Sequence, residues 1–186
     1  MPIQEDYEYT FEKTKCPYCL SRGISEDVAE RYHICEDKDY VYFPVFDEKG
    51  KYVYTTKRSV KGKFFHIPSG ADKVVYLANV FKNNKGTIAI CESQFNALSF
   101  IQNGIGAVAL FGTGSDKQWG ILKRFECDEF ILALDNDNAG IRGKERLYDQ
   151  LKYNYRIKSI VYNDSRDIND YQRQGKFNEL MCKWGI

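Results

Sequence analysis

The sequence has no apolar run near the roughly 20 residues that a membrane-spanning helix needs, and its first 15 residues are acidic and aromatic. A membrane anchor and a secretory signal are therefore not expected. Histidine is almost missing: His33 and His66 are the only two, and neither sits in a motif. No Ser–His or Cys–His spacing suggests a nucleophilic triad. Internal repeats and low-complexity stretches are absent, which sets aside solenoids and disordered tails. A charge of one sign is missing too: 27 Lys and Arg against 26 Asp and Glu leave a net +1. A protein that is basic all over is excluded, but a local basic surface is not. With no secretory signal, the six cysteines point to a reducing cytoplasm rather than a disulfide framework.

What is present is a chain of 186 residues, 43% hydrophobic and 28% charged, enough for one compact domain or a domain with an appended lobe. The near-neutral total hides a polarised chain. Residues 1–50 carry 6 basic and 12 acidic side chains, residues 51–86 carry 8 basic against the single acid Asp72, and residues 87–186 carry 13 of each.

Three segments follow from these shifts: an acidic stretch at 1–15, a basic β-rich lobe at 16–85, and an α/β domain at 86–186. In the lobe, Ser25 with acids behind it opens a short helix to Tyr32. Tyr40–Phe46 and Tyr52–Thr56 are rich in β-formers around the turn Asp47-Glu-Lys-Gly50, a hairpin pattern, and Lys63–Ile67 is a third strand. A helix is predicted over 72–83. Beyond it, the apolar runs Thr87–Cys91, Ala107–Phe111, Glu129–Leu134 and Ile157–Tyr162 alternate with amphipathic stretches at Ser93–Gln102, Asp116–Phe125, Ala139–Lys152 and Ile168–Lys183. Such alternation implies a four-stranded parallel sheet covered by helices on both faces.

Ligands of open α/β sheets bind beyond the carboxyl ends of the strands. Here those ends carry Glu92, the pair Asp135 and Asp137, and the stretch Asn163–Asp170 with Asp167. Gathered carboxylates repel one another, and such a cluster makes sense around a hard divalent cation. The plainer alternative for Asp135 and Asn136 is a turn that caps the next helix; Glu92, on a different strand end, shifts the balance toward metal. Lys51, Lys57, Arg58, Lys61 and Lys63 form a basic cluster with no acid among them. The interleaved aromatics read better as core than as base-stacking platforms. Cys16-Pro-Tyr-Cys19 has the spacing of half a zinc site, but the nearest partners, His33 and Cys35, are separated by one residue and make a poor second half. Two cysteines opening a helix is the favoured alternative.

The segment Gly86-Thr-Ile-Ala-Ile-Cys-Glu92-Ser-Gln-Phe-Asn-Ala-Leu98 resembles the first motif of the Toprim domain, and Leu132-Ala-Leu-Asp135-Asn-Asp137-Asn-Ala-Gly140 resembles its second. With Gly106–Thr113 and Arg166-Asp167-Ile-Asn169-Asp170, the pattern is similar to the catalytic core of bacterial-type DNA primases. Leu20-Ser-Arg22-Gly-Ile-Ser25 and Phe43-Pro-Val-Phe-Asp-Glu-Lys-Gly50, with Arg58 and Lys63 following, resemble the basic lobe of the same family. The sequence departs from the family pattern at Ser93, which replaces a Gly, at Tyr40, which replaces an Arg, and at Asn169, which replaces an acid in many members.

The resemblance implies a Toprim-type sheet and a metal-dependent nucleotidyltransferase that makes short RNA primers on single-stranded DNA from nucleoside triphosphates. It implies Glu92, Asp135, Asp137 and Asp167 as ligands of Mg²⁺ or Mn²⁺, with Glu92 a ligand or a general base. Arg22, Lys57, Arg58, Lys61, Lys63 and Lys73 are implied to hold template or nucleotide. A compact core of this kind suits a bacteriophage or mobile element, working in the cytoplasm of a bacterial or phage-infected cell with a replicative helicase or a separate zinc-binding protein. Two other readings stay open: a Toprim metal-dependent nuclease, and a non-catalytic nucleic-acid-binding subunit.

Overall fold

The computed structural model describes residues 15–162 and 167–186, so all but the last residue of the acidic segment 1–15, and residues 163–166 of the stretch Asn163–Asp170, Arg166 among them, lie outside the described residues. Two four-stranded sheets organise the chain. The first is antiparallel, in the order β1 (Cys35–Glu36), β2 (Tyr40–Phe46), β3 (Tyr52–Ser59) and β4 (Phe65–His66). The predicted hairpin forms because Asp47 accepts hydrogen bonds from the backbone N–H groups of Lys49 and Lys51. Gly50, at φ 84°, supplies the left-handed residue that closes the turn. Side chains alternate over the first half of β2, with Val41 and Phe43 buried and Tyr40 and Tyr42 half-buried, before the buried pair Pro44 and Val45. Two short helices come before the sheet, α1 (Pro17–Ser21) and α2 (Glu26–Arg31). Ser25 caps α2 by accepting from the Val28 N–H at 3.3 Å, as its sequence predicts.

The connection to the second sheet differs from expectation. Instead of a helix over 72–83, the chain runs extended, and Tyr76 bridges Ala109 in antiparallel fashion before the single turn α3 (Ala78–Phe81). The β-branched pair Val74 and Val75 favours extended backbone. Burial of Val74, Val75, Tyr76 and Leu77 along the sheet edge outweighs the helical pattern.

The second sheet is parallel, in the order β6 (Gly106–Ala109), β5 (Thr87–Cys91), β7 (Glu129–Leu132) and β8 (Arg156–Ser159). Its connecting helices are α4 (Gln94–Gln102), α5 (Asp116–Leu122) and α6 (Asn138–Leu151). The expected final helix is split into α7 (Ile168–Arg173) and α8 (Phe177–Lys183) by Gly175 at φ 68°. On one face Ile88 and Ile90 pack with Val108, Phe130, Leu132 and Leu147. On the other face Ala89, Cys91 and Ile131 share a core with Phe95 and Leu98 of α4 and with Val41, Phe43 and Val45 of the antiparallel sheet. The Phe43 and Phe95 rings meet edge to face at 5.3 Å.

Helix α4 therefore has no solvent face over its first seven residues, Gln94–Phe100. Its polar groups must find partners inside. Gln94 Nε2 donates to Thr56 Oγ1 of β3 at 2.7 Å, a buried bond between the two sheets' structures. Thr56→Val keeps the shape and leaves the Gln94 amide without that acceptor. Urea denaturation of this variant is expected to show a loss of about 1–3 kcal/mol.

Candidate active site

Chain topology fixes where a ligand goes. The connection from β5 runs to β6 on one side, and that from β7 runs to β8 on the other. The crevice between the carboxyl ends of β5 and β7 is thus the switch point of the sheet, the favoured ligand position in open α/β folds. Glu92 follows β5 and Asp135 follows β7, so both open into it. Glu92 Oε1 accepts the Asp135 backbone N–H at 3.2 Å. Gly140 presses against the same loop: a Cβ there would lie 2.2 Å from the Asp135 carbonyl oxygen and 2.9 Å from Glu92 Oε1.

The other two predicted carboxylates begin helices. Asp137 caps α6, its Oδ1 accepting from the N–H groups of Ala139 and Gly140 at 2.9 and 2.8 Å. Asp167 caps α7, accepting from the Asp170 N–H at 3.0 Å. The capping alternative thus applies to Asp137 rather than to Asp135. Ser93 caps α4 by accepting from the Asn96 N–H at 3.3 Å.

Burial first, then repulsion from Glu92, Asp167 and Asp137, pushes the Asp135 pKa up to about 7, against a hydrogen bond from Asn96 Nδ2 at 2.9 Å. Burial raises Glu92 as well. Asp137 and Asp167 add to that shift, while the Asp135 N–H and the Lys144 ammonium oppose it. Asp167 is raised by burial and by Asp170, with Arg22 opposing. Among the described residues no three His, Cys, Asp or Glu side chains form a ready-made metal cage. Mg²⁺ does not need one, since one or two carboxylates with waters and substrate phosphates complete its shell. An all-oxygen cluster whose members repel one another fits a hard divalent cation. A further acceptor, Asn96 Oδ1, is buried beside it with no partner among the described residues.

The predicted cations divide into two sets. Arg22 and Arg58 flank one ring, their guanidinium carbons 5.4 and 5.8 Å from the centre of Phe95. Arg58 Nε also donates to the Tyr18 hydroxyl at 3.4 Å, and Arg22 acts on Asp167. Lys73 reaches the end of β6, donating to the Phe111 carbonyl at 3.1 Å. The rest point elsewhere. Lys57 lies on the outer face of β3 with its Nζ 4.7 Å from the Tyr40 ring centre, Lys61 pairs with Asp39 at 2.8 Å, and Lys63 is exposed in the link to β4. The period-2 alternation of β3 separates Lys57 from Arg58, so the basic cluster is not one patch.

Asn169 lies fully buried, its Nδ2 donating to the Arg22 carbonyl and to Ser99 Oγ, both at 2.9 Å. It ties the Arg22 segment to α4 and α7. Cys16 and Cys19 are both buried at the start of α1. A hydrogen bond with Cys19, together with burial, raises the Cys16 pKa. The site residue that sequence reading missed is Lys144. It lies on the helical stripe of Gly140, Gly143, Leu147 and Leu151, all buried, and that spacing is the signal that marks it as inward-facing.

Residues 89–172 match a family described as Toprim-like. The fold is that of the bacterial-type primase catalytic cores. The primase fragment of the bacteriophage T7 primase-helicase superposes with a TM-score of 0.71 at 20% identity, over 88% of this chain and 71% of that one. The zinc-binding and RNA polymerase domains of Aquifex aeolicus primase give 0.73 at 16% identity, over 91% of this chain and 54% of that one. A DNA primase of Clostridium acetobutylicum is 32% identical over 149 residues, 74% of this chain and 25% of the relative. The chain spans a quarter or less of the length of the curated primases it matches.

Because the folded-state pKa of Asp135 lies above its unfolded value, the folded protein binds more protons between about pH 4 and 7. Its stability therefore falls as pH rises through that window. In metal-free buffer, thermal melts are expected to drop by several degrees from pH 5 to pH 7.5. Asp135→Asn is expected to flatten the drop, and millimolar Mg²⁺ to offset it at the upper end.

Proposed function

We propose that this chain is a primase-type catalytic core, with residues 16–85 as its basic lobe and 86–186 as its Toprim domain. The proposed reaction is the joining of ribonucleotides on single-stranded DNA during replication. The observation that carries the reading is the meeting of Glu92 and Asp135 at the sheet's switch point, in one electrostatic cluster with Asp137, Asp167 and Arg22.

Asp135, Asp137 and Asp167 are the residues that would hold Mg²⁺ or Mn²⁺, with Glu92 as a further ligand or as a base. When bound, the ion neutralises nucleotide phosphates and the charge that develops on phosphoryl transfer. The chain's own groups do the rest. Glu92, raised by burial, is suited to take the proton of a 3′-hydroxyl. The hydroxyl oxygen forms its bond to the α-phosphorus as the bond to pyrophosphate breaks. Arg22 and Arg58, fixed on the Phe95 ring, bind phosphate oxygens of template or triphosphate through planar guanidiniums. Lys73 is placed to approach from the end of β6.

Among the described residues no helix is long and apolar enough to cross a membrane. A helicase or a separate zinc-binding protein is the partner proposed to supply the coupling and template selection of the larger primases.

Primer synthesis from ribonucleotides with Mg²⁺ or Mn²⁺ on single-stranded DNA tests the reading. Asp135→Ala is expected to lower the rate by at least ~100-fold. Arg58→Ala is expected to weaken template binding and to reduce the slope of its salt dependence by about 1. Synthesis that survives Asp135→Ala would reject the site. Metal-dependent strand cutting without polymerisation would move the chain to the nucleases.

A further inference from the structure

Lys144 projects into the protein from the buried stripe of α6 and is 9% exposed. An ammonium withdrawn from water is costly unless hydrogen bonds and opposite charge replace its hydration. Neutral groups supply part of this. Nζ donates to the Ile160 carbonyl at 2.8 Å and stands 5.1 Å from the centre of the Tyr162 ring. That ring is itself fixed, since the Tyr162 hydroxyl donates to the Ala133 carbonyl at 3.2 Å and the Tyr162 carbonyl accepts from Asn136 Nδ2 at 3.0 Å. The opposite charge acts through space rather than through an ion pair: Gly140, one turn earlier on the same buried stripe, lies against Asp135 and Glu92, and both carboxylates favour the charged ammonium.

Glu92, Asp135, Asp137 and Asp167 act on one another at this edge, with Asp170 adding to the repulsion and Lys144 and Arg22 opposing it. We propose that Lys144 is a positioning residue of the carboxylate site, a fixed counter-ion that holds Asp135 and Glu92 in place without a metal and loosens the site's grip on divalent ions. A loose grip suits a site whose ions arrive and leave with nucleotide phosphates. The proposal rests on the metal-binding reading of the cluster given above.

Mn²⁺ titration of the full chain, followed by the electron paramagnetic resonance signal of the free ion, separates the two. Lys144→Met and Lys144→Gln remove the charge, and the second retains a hydrogen-bond donor for Ile160. Both are expected to bind Mn²⁺ roughly three- to tenfold more tightly than wild type at low ionic strength, with Lys144→Arg unchanged and Asp135→Asn losing the site. Unchanged or weaker affinity in folded neutral variants overturns the counter-ion role and leaves the metal site standing. Wild-type protein that binds no Mn²⁺ overturns both. Collapse of both neutral variants also overturns the proposal, because the ammonium would then be a prop of the fold.

Discussion

Glu92, Asp135 and Asp167 repel one another across an edge that solvent only partly reaches. Each is held above its usual pKa by burial and, to different degrees, by neighbouring carboxylates. Much of the second sheet's periphery is arranged around that repulsion. Backbone N–H groups at the starts of α6 and α7 face Asp137 and Asp167, where the positive ends of the helix dipoles favour negative charge. Arg22, just past the end of α1, and Lys144 of α6 act on the cluster from two sides of the chain. Gly140 lets α6 start close against the Asp135 carbonyl, where any larger residue would push the loop and its carboxylates apart. The fold tolerates unfavourable charge at one edge because the apolar faces of β5 and β7 beneath it are buried on both sides.

Much of this was legible in the sequence. β5, β6 and β7 showed as short apolar runs because each is buried between covering layers, while β8, at the sheet's edge, carries only exposed and half-buried residues. The carboxylates showed because a strand end is where such a sheet exposes functional groups. Asp47-Glu-Lys-Gly50 and Ser25 announced their turn and cap through local chemistry that packing did not override. The connector over 72–83 was not legible: its helical pattern competes with an edge of β6 that needs covering, and that edge exists only once the sheet has formed.

The basic cluster shows a different limit. Lys57 and Arg58 are neighbours in sequence and opposites in space, so a count of charges along a strand overstates any one surface. Lys144 shows the converse. A residue type expected in water lies on a stripe otherwise made of Gly and Leu, and only its position, not its chemistry, betrays it. The Asn169 amide joins the Arg22 carbonyl to Ser99. A carboxylate at that position would accept hydrogen bonds and donate none.

Three consecutive residues at the start of α4 face three different tasks. Gln94 holds β3, Phe95 seats two guanidiniums, and Asn96 steadies Asp135. One turn of helix therefore acts as a gauge block between the antiparallel sheet and the acidic edge. Sliding the lobe along the parallel sheet would strip Gln94 from Thr56 and lift Arg58 off the ring in the same movement. The same turn of helix therefore sets both the place of the Arg58 guanidinium and that of the Asp135 carboxylate before any ligand arrives.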